Sequence, residues 1–131
     1  MFVDASAIVA VLAREPEAAL LSAKLSNAST RLTSPLAVYE AVLALAREGG
    51  GDIARARSLV ARFLDATGIV TADIRAAEQE AALDAFERFG KGRHPARLNM
   101  GDCFAYACAK THGAPLLCKG EDFGKTDVPI A

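Results

Sequence analysis

A single α/β domain over residues 1–131, with a short, mainly parallel β-sheet flanked by α-helices, is the fold class this sequence predicts. Short apolar, β-favouring runs alternate with longer stretches of helical period, the pattern of parallel strands joined by helical crossovers. The chain has an ordinary single-domain length and is 52% hydrophobic and 24% charged, so it can bury a core without staples. Glycine and proline fall between the periodic segments, and no internal repeat or low-complexity linker divides them.

MFV opens the chain as a strand, and Ser6 is placed to cap a helix running through Leu12. Pro16 starts a second helix to about Leu25, Asn27 to Ser29 is a turn, and Arg31 to Thr33 is a short strand. Ser34-Pro35 is a strong helix start and Gly49-Gly50-Gly51 an equally strong stop. Asp52 caps a surface helix in which Ile53, Ala56, Val60, Phe63 and Leu64 share a face, ended by Gly68. Ile69 to Thr71 reads as a strand, after which Thr71 or Asp73 opens a helix striped by Ile74, Ala77, Ala81, Ala85 and Phe89. A basic loop containing KGRHPAR leads to Asn99, the start of the last long helix, which Gly113 closes. Pro115 to Cys118 forms the last strand, followed by a polar tail, KGEDFGKTDV.

The net charge of −1 excludes a globally basic nucleic-acid binder, so phosphate contact must come from a local patch or a bound cation. Three cysteines, Cys103, Cys108 and Cys118, are odd in number, lie in apolar segments and lack zinc or redox spacing. They read as reduced core residues of a cytoplasmic protein. MFVDASAIVAVLA lacks the basic n-region of a signal peptide and carries Asp4 inside its apolar stretch. The longest apolar runs fall well short of the roughly 20 residues of a membrane span.

Four carboxylates stand out against this background. In open parallel sheets the ligand site lies beyond the carboxyl ends of the strands. Asp4 follows the first strand, Asp122 comes shortly after the last, and Asp102 sits in the first turn of the helix leading to it. Glu40 is the only charged residue of LAVYEAVLALA, and no Lys or Arg stands at helical spacing to neutralise it, Arg47 being two turns away. Taken singly, Asp4 is a turn or cap residue, Asp102 completes a capping box with Asn99, Asp122 is a solvated loop acid and Glu40 snorkels. Taken together, they call for a divalent cation, and an all-oxygen set without His or Cys selects Mg²⁺ or Mn²⁺ over zinc. Lys91, Arg93, Arg97, Lys110, Lys119 and Lys125 flank the acids and can receive phosphates, whereas His94 and His112 are weak candidates.

VDAS, SPLAVYEAVLALA, LNMGDCFAYACAK and the acidic loop after LLCKG together resemble the PIN-domain ribonucleases. More narrowly, HPARLNMGDCFAYACAKTHGAPLLCKGEDFGKTDV is similar to the VapC-type toxins of bacterial toxin-antitoxin modules, and the resemblance covers essentially the whole chain. It implies that Asp4, Glu40 and Asp102 surround Mg²⁺, with Asp122 of GEDF as the fourth acid and Ser6 positioning Asp4 or a water. Some relatives carry an acid at the position of Gly120, and Asp127 is the substitute for Asp122. It also implies endonucleolytic cleavage of RNA, a homodimer, and a VapB-type antitoxin whose C-terminal segment fills the groove beside the acids in a heterotetramer or larger assembly.

The leading expectation is therefore hydrolysis of RNA by a metal-activated water, leaving 5′-phosphate and 3′-hydroxyl ends. A non-catalytic α/β interaction module, its acids serving as caps, is the alternative. A receiver-type phosphoryl-transfer domain ranks last because it explains neither Glu40 nor Asp102. The segments Ile8 to Leu21 and Leu36 to Leu45 hold more apolar residues than one buried face needs, which points to an interface.

Overall fold

The computed structural model describes residues 1–131. The elements in order are β1 (Phe2–Val3), α1 (Ala5–Leu12), α2 (Ala18–Asn27), β2 (Leu32–Thr33), α3 (Pro35–Glu48), α4 (Ile53–Thr67), β3 (Val70–Thr71), α5 (Ala76–Phe89), α6 (Met100–Thr111) and β4 (Leu116–Leu117). A 3-10 turn, Phe123–Lys125, follows. All pairings are parallel, in the order β3-β2-β1-β4, so β1 lies inside the sheet with β2 and β4 on either side. The predicted class, a short parallel sheet between helical layers, is the one observed.

Side chains on a strand alternate between faces, and in β1 and β4 this divides the core in two. Phe2 and Leu116 face α5 and α6, in a cluster with Ala85, Phe89, Leu98, Tyr106 and Cys108. Val3 and Leu117 face the other way, toward Ile8, Leu21, Ala41, Leu45 and Val60 of α1 to α4. Because consecutive residues of one two-residue strand serve opposite layers, β1 ties the two cores together. Asp4 comes next in sequence, where the backbone leaves the sheet.

Several starts and stops follow the sequence signals. Ser34 Oγ accepts from Ala37 N at 3.1 Å, with Pro35 opening α3. Asp52 Oδ1 accepts from Arg55 N at 2.9 Å to start α4, and Gly68 ends that helix with a left-handed φ of 64°. Others differ. The cap of α1 is Asp4, not Ser6, since Asp4 Oδ2 accepts from Ser6 N. The second helix begins at Ala18, beyond Pro16, and runs two residues past Leu25.

Neither Thr71 nor Asp73 opens α5. Its first turn is closed by the Glu78 carboxylate accepting from Arg75 N at 2.8 Å, while Asp73 pairs with Arg75 in solvent. The buried face of α5 is Glu78, Ala82, Ala85 and Phe89, so the predicted stripe is one residue out of register over its first half. The polar tail is also less polar in place than in sequence. Phe123 and Val128 are buried, and Ile130 bridges to Leu116 beside β4. No helix is long and apolar enough to cross a membrane.

Candidate active site

Parallel pairing puts the carboxyl ends of all strands on one edge, and the start of α6 rises to the same edge. Asp4 stands at the exit of β1 and is 5% exposed. Its Oδ2 accepts from Ser6 N at 3.0 Å and from Ser6 Oγ at 2.5 Å. Both Ser6 bonds fall on Oδ2 and leave Oδ1 free of that residue. Ser6 Oγ in turn accepts from Lys119 N at 3.0 Å, joining the loop after β4 to the carboxylate. Burial pushes the Asp4 carboxyl above its ordinary range, against the opposing pull of the Ser6 hydrogen bonds.

Asp102 is the third residue of α6 and forms a reciprocal capping box with Asn99. Its Oδ2 accepts from Asn99 N at 2.9 Å, and Asn99 Oδ1 accepts from Asp102 N at 3.0 Å. Burial raises its carboxyl, as do the charges of Asp4 and Asp122, while the Asn99 bond lowers it. Glu40, partly buried on α3, is raised by burial and then by Asp4 and Asp102. The charges of Asp4 and Asp102 both reach Glu40 and that of Asp4 reaches Asp102, which groups the three, with Asp122 at the margin beside Asp102. None of the first three is in an ion pair, and the Glu40 carboxylate makes no hydrogen bond. Capping accounts for Asp4 and Asp102, but Glu40 caps nothing.

The other sequence candidates divide clearly. Asp122 is exposed and holds Lys125 at 3.2 Å. Asp127 is engaged elsewhere, accepting from the Tyr106 hydroxyl at 2.5 Å and from Arg88 at 3.1 Å, with Lys110 at 3.6 Å. Those contacts, chiefly the Tyr106 bond, hold its carboxyl below the usual range, and Asp127 does not act on the site acids. Lys119 pairs with Glu15 and Glu17, so of the six flanking cations only Lys91, Arg93 and Arg97 carry no ion pair. His94 accepts from Ala96 N and packs edge-on against Phe89, and His112 contacts Cys108 O at the end of α6. The thiols of Cys103, Cys108 and Cys118 are free, each pushed up to about 11 by burial.

One residue of the site was not anticipated. Gly101 precedes Asp102, and the three heavy atoms nearest to where its side chain would begin are the carboxylate atoms of Glu40. A glycine inside a helix without a left-handed φ was the available signal.

The acids supply only oxygen donors and no cation neutralises them, which suits a hard divalent ion. No three His, Cys, Asp or Glu side chains close into a cage by themselves. Mg²⁺ keeps several waters and takes one or two carboxylates, a number Asp4 and Asp102 can supply.

The profile of the PIN domain family matches residues 1–129. The chain belongs to the PIN-domain family. A VapC ribonuclease of Rhizobium meliloti is 45% identical to it, covering 97% of this chain and 98% of the relative. A ribonuclease VapC of Mycolicibacterium smegmatis is 40% identical over 98% and 97% of the two chains. The crystal structure of Mycobacterium tuberculosis VapC20, described as a sarcin-ricin loop cleaving toxin, superposes with a TM-score of 0.78 over 99% of this chain and 97% of that one. At 20% identity that likeness establishes the fold of this PIN domain.

Proposed function

We propose that this PIN domain is a Mg²⁺-dependent endoribonuclease, the toxin of a VapBC-type toxin-antitoxin module. The observation that carries the proposal is the grouping of Asp4, Glu40 and Asp102, three carboxylates raised by burial and without a cationic partner, in a chain whose relatives are named VapC ribonucleases. An interaction module gains nothing from such a cluster, because Glu40 contributes neither a cap nor an ion pair.

Asp4 and Asp102 would hold the ion through the oxygens their hydrogen bonds leave open, with Mn²⁺ as a substitute. When bound, Mg²⁺ would supply positive charge for a phosphate and lower the pKa of a bound water. Ser6 fixes the Asp4 rotamer, and the Asn99 capping box fixes that of Asp102. Glu40, raised but unbonded, is the member suited to orient the attacking water and take its proton. Asp122 stands at the rim as the fourth acid. The exposed Lys91, Arg93 and Arg97 receive neighbouring phosphates without encoding sequence. Water attack leaves 5′-phosphate and 3′-hydroxyl ends.

The decisive experiment incubates the purified protein with total RNA and Mg²⁺, then sequences newly formed 5′-phosphate ends. New ends that disappear with EDTA support the proposal, and unaltered RNA sinks it. The fourth acid is tested in the same assay. Asp122→Asn is expected to lower cleavage by roughly tenfold, the lower range for a partner outside the immediate ligands. Asp127→Asn is expected to cleave normally while losing about 1 kcal/mol in denaturant unfolding, a charged hydrogen bond discounted for exposure.

The surplus apolar surface is also partitioned. Leu20 is the exposed large hydrophobic of the early segment, whereas α3 and α4 bound a groove lined by Val38, Tyr39, Val42, Leu43, Ile53 and Leu64. Tyr39, Leu43 and Ile53 continue it to Glu40, a course that would suit an antitoxin segment beside the acids. A second patch, Leu83, Phe86, Met100 and Phe104, joins α5 to α6 and would suit the contact of a homodimer. A Leu83→Asp protein should elute as a monomer, and an unchanged dimer would exclude this face.

A further inference from the structure

Resting on that reading of the acids, we infer that Gly101 is a positioning residue for Glu40, its bare Cα serving as the seat on which the Glu40 carboxylate lies. The Glu40 carboxylate is held by no hydrogen bond and no ion pair, and the like charges of Asp4 and Asp102 push it outward. A long flexible side chain under repulsion would turn to solvent unless packing confined it. Its carboxylate instead rests against the start of α6. A side-chain carbon built on Gly101 would lie 2.5 Å from Glu40 Cδ and nearer still to both oxygens.

The backbone offers no other reason for glycine. Gly101 is absent from the positive-φ residues, and it lies buried inside a regular helix. Alanine is the better helix former at such a position. Gly101 also precedes Asp102 directly, so the seat for one acid and the capping box that orients another occupy a single helical turn. The spacing between the two carboxylates is thereby set by α6 packing on α3.

The test uses the full chain and Mn²⁺ as the probe. Gly101→Ala should melt in EDTA at or above the wild-type temperature, because the carboxylate can swing away from the new methyl. The same swing should weaken Mn²⁺ binding, read by electron paramagnetic resonance, by at least about tenfold, the scale of a lost supporting contact at a metal site. RNA cleavage should fall with it. Glu40→Asp withdraws the carboxylate by one methylene, so Gly101→Ala/Glu40→Asp should bind Mn²⁺ no worse than Glu40→Asp alone.

Wild-type Mn²⁺ affinity in Gly101→Ala, or penalties that multiply in the double variant, would overturn the inference. A Gly101→Ala protein that unfolds in EDTA would also overturn it unless Glu40→Ala restores the melting temperature. Glu40→Gln separates the two levels. Unchanged cleavage and Mn²⁺ binding there would refute the reading of the site itself. Losses in Glu40→Gln beside a normal Gly101→Ala would refute the seat alone.

Discussion

Asp4→Asn is expected to fold as the parent does and to lose RNA cleavage by at least about 100-fold, since even outer partners of metal sites cost up to that much. Asparagine keeps an oxygen for Ser6 N, so α1 keeps its cap and the Ser6 to Lys119 link can persist. What disappears is the charge. Asp4 is buried and its carboxylate is costly to maintain there, so the neutral variant should melt higher than the parent in EDTA. Circular dichroism melts alongside cleavage of labelled RNA check both halves. Full cleavage by the variant would remove Asp4 from the mechanism.

Glu40→Gln should separate stability from activity as a function of pH. Burial, followed by the Asp4 and Asp102 charges, raises the folded-state value of Glu40 above its unfolded one. The stability this group contributes is present below the unfolded value of about 4.3 and is lost as pH rises through the folded value. Glutamine does not titrate. In EDTA the two proteins should melt alike below about pH 4 and diverge toward pH 7, with the variant the more stable. Taking the difference removes groups with lowered values, such as Asp127. Added Mg²⁺ should raise the melting temperature of the parent more than that of the variant, while cleavage by the variant falls at least about tenfold. Parallel melting curves across this range would mean that Glu40 is neutralised by a partner.

The legible parts of the fold were those fixed by short-range chemistry. Ser34-Pro35, the Gly49 to Gly51 run, Asp52, Gly68 and Asn99 act through their own turn of backbone, and each marks the expected boundary. The misplaced boundaries have competing local solutions. Asp4 and Ser6 both carry capping oxygens, and the structure uses the first for the helix and the second to hold the first. The register of α5 was ambiguous because its alanines fit either a buried or an exposed face. The tail looked polar by composition, and only the open flank of β4 explains why Phe123, Val128 and Ile130 pack or pair there.

Asp4 and Glu40 stood out in sequence because a charge in an apolar segment has few stable resolutions, and parallel strands ending on one edge explain why Asp4 lies where a site is expected. Gly101 did not stand out, because its reason is a contact with a side chain far back in the sequence.

The position of β1 between β2 and β4 has a consequence for synthesis. The strand that leads into Asp4 is made well before one of its neighbours, Leu116–Leu117. Asp102 and the backbone N–H that secures Ser6 arrive just as late. A nascent chain therefore carries scattered carboxylates and no assembled centre until β4 has joined β1, since domains fold as units once their segments are available.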